Sequence, residues 1–466
     1  MARTVERPAG SKLAALVADQ MVGDIAERGW PSGEIVGSET ELLARYGVSR
    51  AVFREAVRLL EHLHVARMRR GPGGGLRVLA PTVDSVTDAV SVYLYYVGAE
   101  IDEVFEARLA LEEVAAELAP ERIDEAQIAE LRGLVEREEA GDVRDHRELH
   151  NLVATISGNP ALAFFVDLLN RATLLYLPAG STLSQETRTA STAAHAAIVR
   201  AILADEPGRA RSRMRRHLLA EAEYLRSRRP SRRNLADLPE VVGRSAKRAE
   251  QTAREILRHV GGNGWPVGRL LGSEAELMAR YDISRAVLRE AVRVLEHHQV
   301  ASMRRGPGGG LFVAEPGVEA ITDAVALQID RLGIQPQHLM EVRGAVEMTV
   351  LDLVMKQLDD DGEARLRLAL EAEAAATHDD FLVMGHDLHG VLATVTGNRV
   401  IELLVLVLVR LQRFHGATPP ELVGAVPTQD VMDVHARIVD AIVDRDLDLA
   451  RHRMRRHLDA LVRWTR

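Results

Sequence analysis

Residues 48–78 read VSRAVFREAVRLLEHLHVARMRRGPGGGLRV, and residues 283–313 read ISRAVLREAVRVLEHHQVASMRRGPGGGLFV. The recurrence extends well beyond this stretch. GSETELLARYGVSR at 37–50 returns as GSEAELMARYDISR at 272–285, HNLVATISGN at 150–159 as HGVLATVTGN at 389–398, and ARSRMRRHL at 210–218 as ARHRMRRHL at 450–458. The offset drifts from 235 to 240 residues. That period is far too long for a solenoid repeat, so the pattern predicts two whole modules in series, a tandem duplication.

Each module divides again. About 75 residues of helical pattern, ending in a Gly-rich β-prone tail, precede about 150 residues of nearly continuous helical pattern. VFEARLALEEVAAELA and LMEVRGAVEMTVLDLV carry apolar residues at spacings of three and four. Breaks are expected at GDVRD, SGNP and PAGSTLSQETRT in the first module, and at TGNR and GATPPELVGAVP in the second. RSRRPSRRNLADLPEVVG, Arg226 to Gly243, reads as the joint; its five arginines fit a solvated tether or contact with a DNA backbone. The expected organisation is a winged helix-turn-helix domain at 1–80, a helical domain at 81–228, a linker at 229–243, a second winged helix-turn-helix domain at 244–316 and a second helical domain at 317–466. The fold class is mainly α.

The chain has 466 residues, 47% of them hydrophobic, 4% aromatic and none cysteine. Disulfides and thiolate metal sites are excluded, which fits a reducing cytoplasm. The N-terminal stretch has no apolar signal core, and the longest apolar run, Leu403 to Val409, is too short to cross a bilayer, so no membrane role is expected. The net charge is −9, but residues 1–80 carry 12 Lys/Arg against 9 Asp/Glu, and residues 243–316 carry 12 against 8. Two mildly basic islands in an acidic chain are where a polyanion would bind.

Those islands hold an ordered set of local signals. Ser11 to Arg28 predicts an amphipathic helix with Leu13, Leu16, Val17, Met21 and Ile25 on one face. Ser38 and Glu41 form a capping-box pattern that opens a short helix; Gly47 gives a turn; Ser49 caps a longer helix over Arg50 to His62. Val52, Ala56, Leu59 and Leu60 are expected to face the core, leaving Arg50, Arg54 and Arg58 together outside. Val65–Met68 and Leu76–Val78 predict a hairpin around GPGGG, with Arg67, Arg69 and Arg70 supplying charge beside it. The second module repeats the set with Ser273, Glu276, Ser284, Arg285, Arg289, Arg293, Arg304 and Arg305. A solvated arginine face would show the same stripe, and GPGGG alone would suit a nucleotide loop. No Lys-Ser/Thr follows it, however, as a P-loop requires. Helix, turn, helix and Gly-rich wing in that order point to double-stranded DNA.

These segments resemble the winged-helix heads of GntR-type bacterial regulators, in the FadR branch. The resemblance is carried by GSETEL…GVSRAVFREAVRLL…GPGGGLRV and GSEAEL…DISRAVLREAVRVL…GPGGGLFV. It implies that Arg50, Arg54, Arg285 and Arg289 enter the major groove and that Gly73 and Gly308 mark the wing tips. Gly37 and Gly272 replace the family's proline, and Thr40 and Ala275 stand where an arginine is frequent, which leaves sequence preference open.

The helical parts each hold three histidines at matched gaps: His150, His195 and His217 (45 and 22 residues), and His389, His435 and His457 (46 and 22). Three imidazoles converging in a bundle would bind a divalent metal such as Zn²⁺; three separately packed histidines would show the same spacing. HRELHNLVATISGN, HAAIVRAI and MRRHL, with GHDLHGVLATVTGN, HARIVDAI and MRRHL, are similar to the FCD ligand-binding domain that follows FadR-branch heads. That resemblance implies one Asp and three His as metal ligands and a small organic acid as effector. At the expected Asp stand His146, with Asp145 beside it, which can still ligate from one turn away and make the first site a three-His or four-His one, and Gly385, which cannot ligate, with His386 within reach three residues before His389. The second site is therefore expected to be vestigial or to use water. Arg108 and Arg343 lie in helical pattern, either to clamp an effector carboxylate or to pair with Glu112 and Glu347 four residues on.

The expected function is a ligand-responsive regulator of transcription, a repressor, whose two heads form an intramolecular pseudo-dimer on two half-sites. Two alternatives remain: a His-metal hydrolase with accessory heads, which lacks an HExxH arrangement or a nucleophile–base pair, and a constitutive DNA-binding protein with silent sensors.

Overall fold

The computed structural model describes residues 9–63, 65–69, 71, 73–80, 83–142, 147–176, 184–227, 248–304, 306–375, 387–415 and 428–464. Arg70, Asp145, His146, Arg305, Gly385, His386, the linker at 229–243 and GATPPELVGAVP lie outside the described residues. Among the described residues the chain is mainly α-helical with two small antiparallel sheets. No described helix is long and apolar enough to cross a membrane. There are two compact units, residues 1–88 with 323–333, and residues 89–322 with 334–466.

The first unit contains the first head: α1 (Ala9–Ala26), α2 (Glu39–Tyr46), α3 (Arg50–His62), β1 (Ala66–Arg69) and β2 (Gly75–Val78). The capping box at Ser38 and Glu41 is present, Gly47 closes α2 at φ 62°, and Ser49 caps α3 through the Val52 amide. The α1 core stripe is Ala14, Val17, Ala18, Met21 and Ile25, whereas Leu13 and Leu16 are exposed. In α3 the buried row is Phe53, Ala56, Val57 and Leu60, with Val52 and Leu59 only half-buried. Both stripes are rotated from the expected ones because packing of α1 against α3 sets which flank faces inward. Leu327 of the 323–333 segment packs on this core, and Trp30 Nε1 donates to Asp330 at 3.0 Å.

The wing is an antiparallel pair with Ala66 opposite Val78 and Arg69 opposite Gly75. Its outer strand is held by residues before α2: the Leu76 amide donates to Gly37 O and the Val78 amide to Glu34 O, each at 2.9 Å. A Cβ at Gly75 would stand 2.4 Å from Gly37 O. Gly75→Ala is expected to cost about 1–3 kcal/mol by forcing these backbones apart. The effect would appear as faster hydrogen exchange of the Leu76 and Val78 amides; unchanged protection would contradict it.

In the larger unit, α4 (Asp84–Val97), α5 (Ile101–Arg122), α6 (Glu125–Glu139), α7 (Glu148–Ile156), α8 (Pro160–Ala172), α9 (Gln185–Leu203) and α10 (Pro207–Ser227) come first. The break expected through Thr189 ends earlier, because Ser184 caps α9 through the Thr187 amide. The second head follows: α11 (Arg248–Gly262), β3 (Leu270–Gly272), α12 (Glu274–Tyr281), α13 (Arg285–His297), β4 (Ala301–Arg304) and β5 (Gly310–Val313), with strand order β3-β5-β4. Its caps repeat the first head's, with Asp282 taking the left-handed position of Gly47 at φ 49°. Then come α14 (Val318–Arg331), whose residues from 323 onward belong to the first unit, and, in the larger unit, α15 (Pro336–Gln357), α16 (Asp360–Ala375), α17 (Asp387–Val395), α18 (Arg399–His415), α19 (Thr428–Val443) and α20 (Leu447–Trp464).

The SGN and TGN stretches separate α7 from α8 and α17 from α18. Asn159 caps α8 and its amide also donates to His338 O and Glu341 Oε2, at 3.0 and 2.7 Å. Asn398 caps α18 and donates to Glu103 O and Glu106 Oε2, at 3.1 and 2.7 Å. Each buried asparagine thus satisfies a helix start with its oxygen and reaches the other helical bundle with its nitrogen.

Candidate functional site

The longer helix of each head, α3 and α13, is capped at its N-terminus by Ser49 or Ser284, and its apolar row turns inward, leaving the arginine face outside. Arg50 and Arg54 keep side-chain exposures of 67% and 63%; Arg285 and Arg289 keep 64% and 65%. One carboxylate faces each pair: Glu39 lies 3.2 Å from Arg50 and 3.6 Å from Arg54, and Glu274 lies 3.3 Å from Arg285 and 3.4 Å from Arg289. These are surface pairs of small energetic weight that hold two guanidiniums on one side of the helix. Arg58 is also exposed and pairs with Glu55 at 3.3 Å; Arg293 is half-buried. Gly73 and Gly308, at the hairpin turns, have φ of 68° and 74°, left-handed values that glycine adopts without strain. Arg67, Arg69 and Arg304 stand exposed or half-exposed on the wings, and the Arg304 guanidinium lies 4.3 Å over the Phe312 ring.

The histidines converge. His150 comes from α7, His195 from α9 and His217 from α10, and all three are buried. His195 Nε2 and His150 Nε2 each lie 3.2 Å from His217 Nε2. In the second bundle His389 and His435, from α17 and α19, each lie 3.3 Å from His457 Nε2 of α20. The two triads are nearly superimposable in these distances, so the second is not eroded at its three histidines, although Gly385 stands at the expected Asp.

Carboxylates hold the outer ring nitrogens. Glu112 of α5 accepts from His150 Nδ1, and Glu138 of α6 accepts from His195 Nδ1 at 2.8 Å. Glu347 lies 2.8 Å from His389 Nδ1, and Glu373 accepts from His435 Nδ1 at 2.8 Å. A ring that donates from Nδ1 carries its lone pair on Nε2. Two lone pairs therefore aim at one His217 nitrogen, which has at most one proton to give. In the second bundle burial, helped by Arg343 and neighbouring histidines, holds His389 well below the ordinary histidine range, and burial with the other two histidines does the same to His457. Neutral, converged imidazoles with second-ring carboxylates are a donor set that fits a divalent cation.

Arg108 and Arg343 are both 2% exposed on α5 and α15. Arg108 Nε donates to Glu112 at 2.7 Å and Arg343 Nε to Glu347 at 3.2 Å, so the pairing four residues along the helix is present in both. Burial raises the Glu112 carboxyl, but Arg108 and His150 beside it outweigh this and hold it at about 2, against 4.5 ordinarily. A carboxyl held down in the folded state contributes stability above its unfolded value that is lost as pH falls towards the folded one. Glu112 is thus expected to contribute about 3 kcal/mol at pH 6 and progressively less below pH 4.5. Urea unfolding of Glu112→Gln and the parent at pH 6 and pH 3 checks this: the gap should narrow at pH 3.

Glu138, Glu373 and Glu221 were not singled out from sequence. They lie in Glu-rich helical stretches, LVEREEA, LEAEAA and LLAEAE, where nothing local marks which carboxylate turns inward.

The FCD domain matches residues 103–220 and again residues 338–460. An uncharacterized HTH-type transcriptional regulator, YcbG of Bacillus subtilis, is 25% identical over 213 residues, 45% of this chain and 86% of the relative. The HTH-type transcriptional repressor NanR of Salmonella typhimurium is 28% identical over 248 residues, 48% of this chain and 90% of the relative. Among solved structures, Streptococcus agalactiae GntR shares 27% identity over 45% of this chain and 99% of its own, with a TM-score of 0.35.

Proposed function

This chain belongs to the FCD-domain family, and on that footing we propose that it is a ligand-responsive, DNA-binding regulator of transcription, a repressor, built as a tandem duplication. One chain carries two heads and two sensors, so a single polypeptide meets both halves of an operator as an intramolecular pseudo-dimer. The observation that carries this reading is the pair of capped second helices presenting Arg50 with Arg54, and Arg285 with Arg289, to solvent. Because the copies differ at Arg67 and Ser302, and at Gly47 and Asp282, the two half-sites need not match.

The sensors bind a small organic acid. His150, His195 and His217 would hold a divalent metal in the first, and His389, His435 and His457 in the second, with Glu112, Glu138, Glu347 and Glu373 fixing the imidazole tautomers. A bound Zn²⁺-like ion supplies open coordination positions for a ligand carboxylate. Arg108 and Arg343 add a guanidinium beside the triads.

Coupling to the heads follows the chain. Helix α5, which carries Arg108, begins just after α4, whose Tyr95 and Tyr96 rings lie 6.2 and 5.9 Å from that of Trp265 in the second head. Helix α15, which carries Arg343, begins just after residues 323–333, which pack on Trp30 and the core of the first head. A ligand that favours one placement of α5 or α15 thereby biases a head, a population shift between DNA-competent and incompetent arrangements. The test is binding of the full chain to DNA from upstream of its own gene across a salt series. Logarithmic affinity is expected to fall linearly with logarithmic salt, with a slope of about −4 for four or more phosphate-neutralising contacts. A flat line would defeat the proposal.

A further inference from the structure

Between the two helical bundles of the larger unit runs a cleft of about 800 Å³. Helices α5 and α10 form one wall, and α15 and α20 the other. The histidine triads are buried within each bundle, whereas this cleft is lined by residues of both. Pockets that enclose a small organic molecule measure about 300–1,000 Å³, so the space suffices for one. Small residues make the room: Ala110, Gly344 and Ala345 line it, and a Cβ built on Gly344 meets nothing within 4 Å. Leu109, Val114 and Met348, each half-buried, and the buried Met340 give it apolar surface.

The walls correspond in sequence, because α5 recurs as α15 at an offset of 235 residues and α10 as α20 at 240. Their charges do not correspond. On the first wall Glu113, only 6% exposed, accepts from Arg211 Nε at 3.1 Å and from Arg215 Nη1 at 2.8 Å, and Glu117 accepts from Arg211 Nη1 at 2.8 Å. On the second wall Met348 stands at the position of Glu113 and Asp352 at that of Glu117. Asp352 pairs with Arg451. Arg455, the counterpart of Arg215, lines the cleft exposed, and among the described residues no carboxylate pairs with it, Asp459 one turn on included. Lys356, at the position of Glu121, adds a cation to the same lining. Glu106 and Glu341 line it too, but they accept from the Asn398 and Asn159 amides at 2.7 Å each.

We propose that this cleft is a further small-molecule site, for an organic anion with an apolar body. The anionic group takes for Arg455 the part that Glu113 plays for Arg215, and the body lies against Leu109, Val114, Met340 and Met348. A guanidinium presents parallel N–H donors that suit a carboxylate, sulfonate or phosphate alike. One occupant touches both bundles at once, and its binding does not depend on metal in the histidine triads.

The test is titration of the full chain, freed of metal with EDTA, with anilinonaphthalene sulfonate, an anionic dye whose emission rises in apolar surroundings. One saturable equivalent per chain is expected. Met348→Glu, which gives Arg455 the carboxylate that Arg215 has, should weaken binding about tenfold or more, the worth of one charge-assisted pair. Gly344→Leu places on α15 the residue that α5 carries at Leu109, fills the cleft and should abolish binding. Phenylnaphthylamine, the same ring frame without the sulfonate, should bind the parent about tenfold more weakly. Gly344→Leu puts a strong helix former into open space and is expected to keep the fold, as circular dichroism would show. Should Met348→Glu unfold, Gly344→Leu and the uncharged dye still decide. No binding by the parent, binding that neither substitution changes, or equal binding of the two dyes overturns the proposal.

Discussion

Alanine at Arg50, Arg54, Arg285 and Arg289 together is expected to lower affinity for operator DNA about a thousandfold without unfolding the heads. The side chains are about two-thirds exposed, so truncation removes little packing and is expected to shift stability by no more than about 0.5 kcal/mol. A well-placed arginine–base contact is worth about 1–3 kcal/mol; even at the low end four of them amount to about 4 kcal/mol, a factor of about a thousand. The salt slope should become shallower as well, by about 0.9 for each guanidinium that neutralised a phosphate. Altering one head, with Arg50→Ala and Arg54→Ala, should weaken binding yet leave contact through the other, because the tether keeps the intact head near its half-site. Fluorescence anisotropy at two salt concentrations measures both effects. If the fourfold variant retains affinity and slope, the arginine faces are only solvated surfaces.

If the triads hold a divalent ion as proposed, replacing His195 and His217 by alanine is expected to remove one metal equivalent per chain, and replacing His435 and His457 as well to remove the other. The reasoning is electrostatic. In each triad Nε2 atoms approach within 3.2–3.3 Å, while Glu138 and Glu373 occupy the Nδ1 protons of His195 and His435. Lone pairs crowded this closely in a buried site are stabilised by a cation and destabilised without one. Metal present at about a thousand times its dissociation constant would raise the stability of the parent by about 4 kcal/mol, a gain the variants should lose. Elemental analysis and the metal-dependent shift in unfolding midpoint are independent readouts. A variant lacking His195 and His217 that holds as much metal as the parent would place the ion elsewhere.

Much of the architecture is legible in the chain because it is local. Ser38 with Glu41, Ser273 with Glu276, Ser49 and Ser284 cap helices within three residues of themselves, and those caps are present. The Arg50, Arg54, Arg58 stripe depends only on helical periodicity. The direction of a helix face is another matter. Leu13 and Leu16 looked like core beside Val17, but α1 turns Ala14 and Ala18 towards α3 instead. The buried glutamates were harder still: Glu138 is one of three glutamates in four residues, and what distinguishes it is a histidine 57 positions later.

By itself, then, the sequence determined the recurrence of its segments, the helical class, the capped helix pairs and the residue type of the converging histidines, since each follows from neighbours within a few positions or from outright repetition. Only the tertiary structure decided that histidines 22 to 68 positions apart meet at one point, which carboxylates close behind them, and that Glu221 reaches Arg108. Those outcomes depend on how separate helices rotate and approach as they bury apolar surface, and helical periodicity alone does not specify that choice.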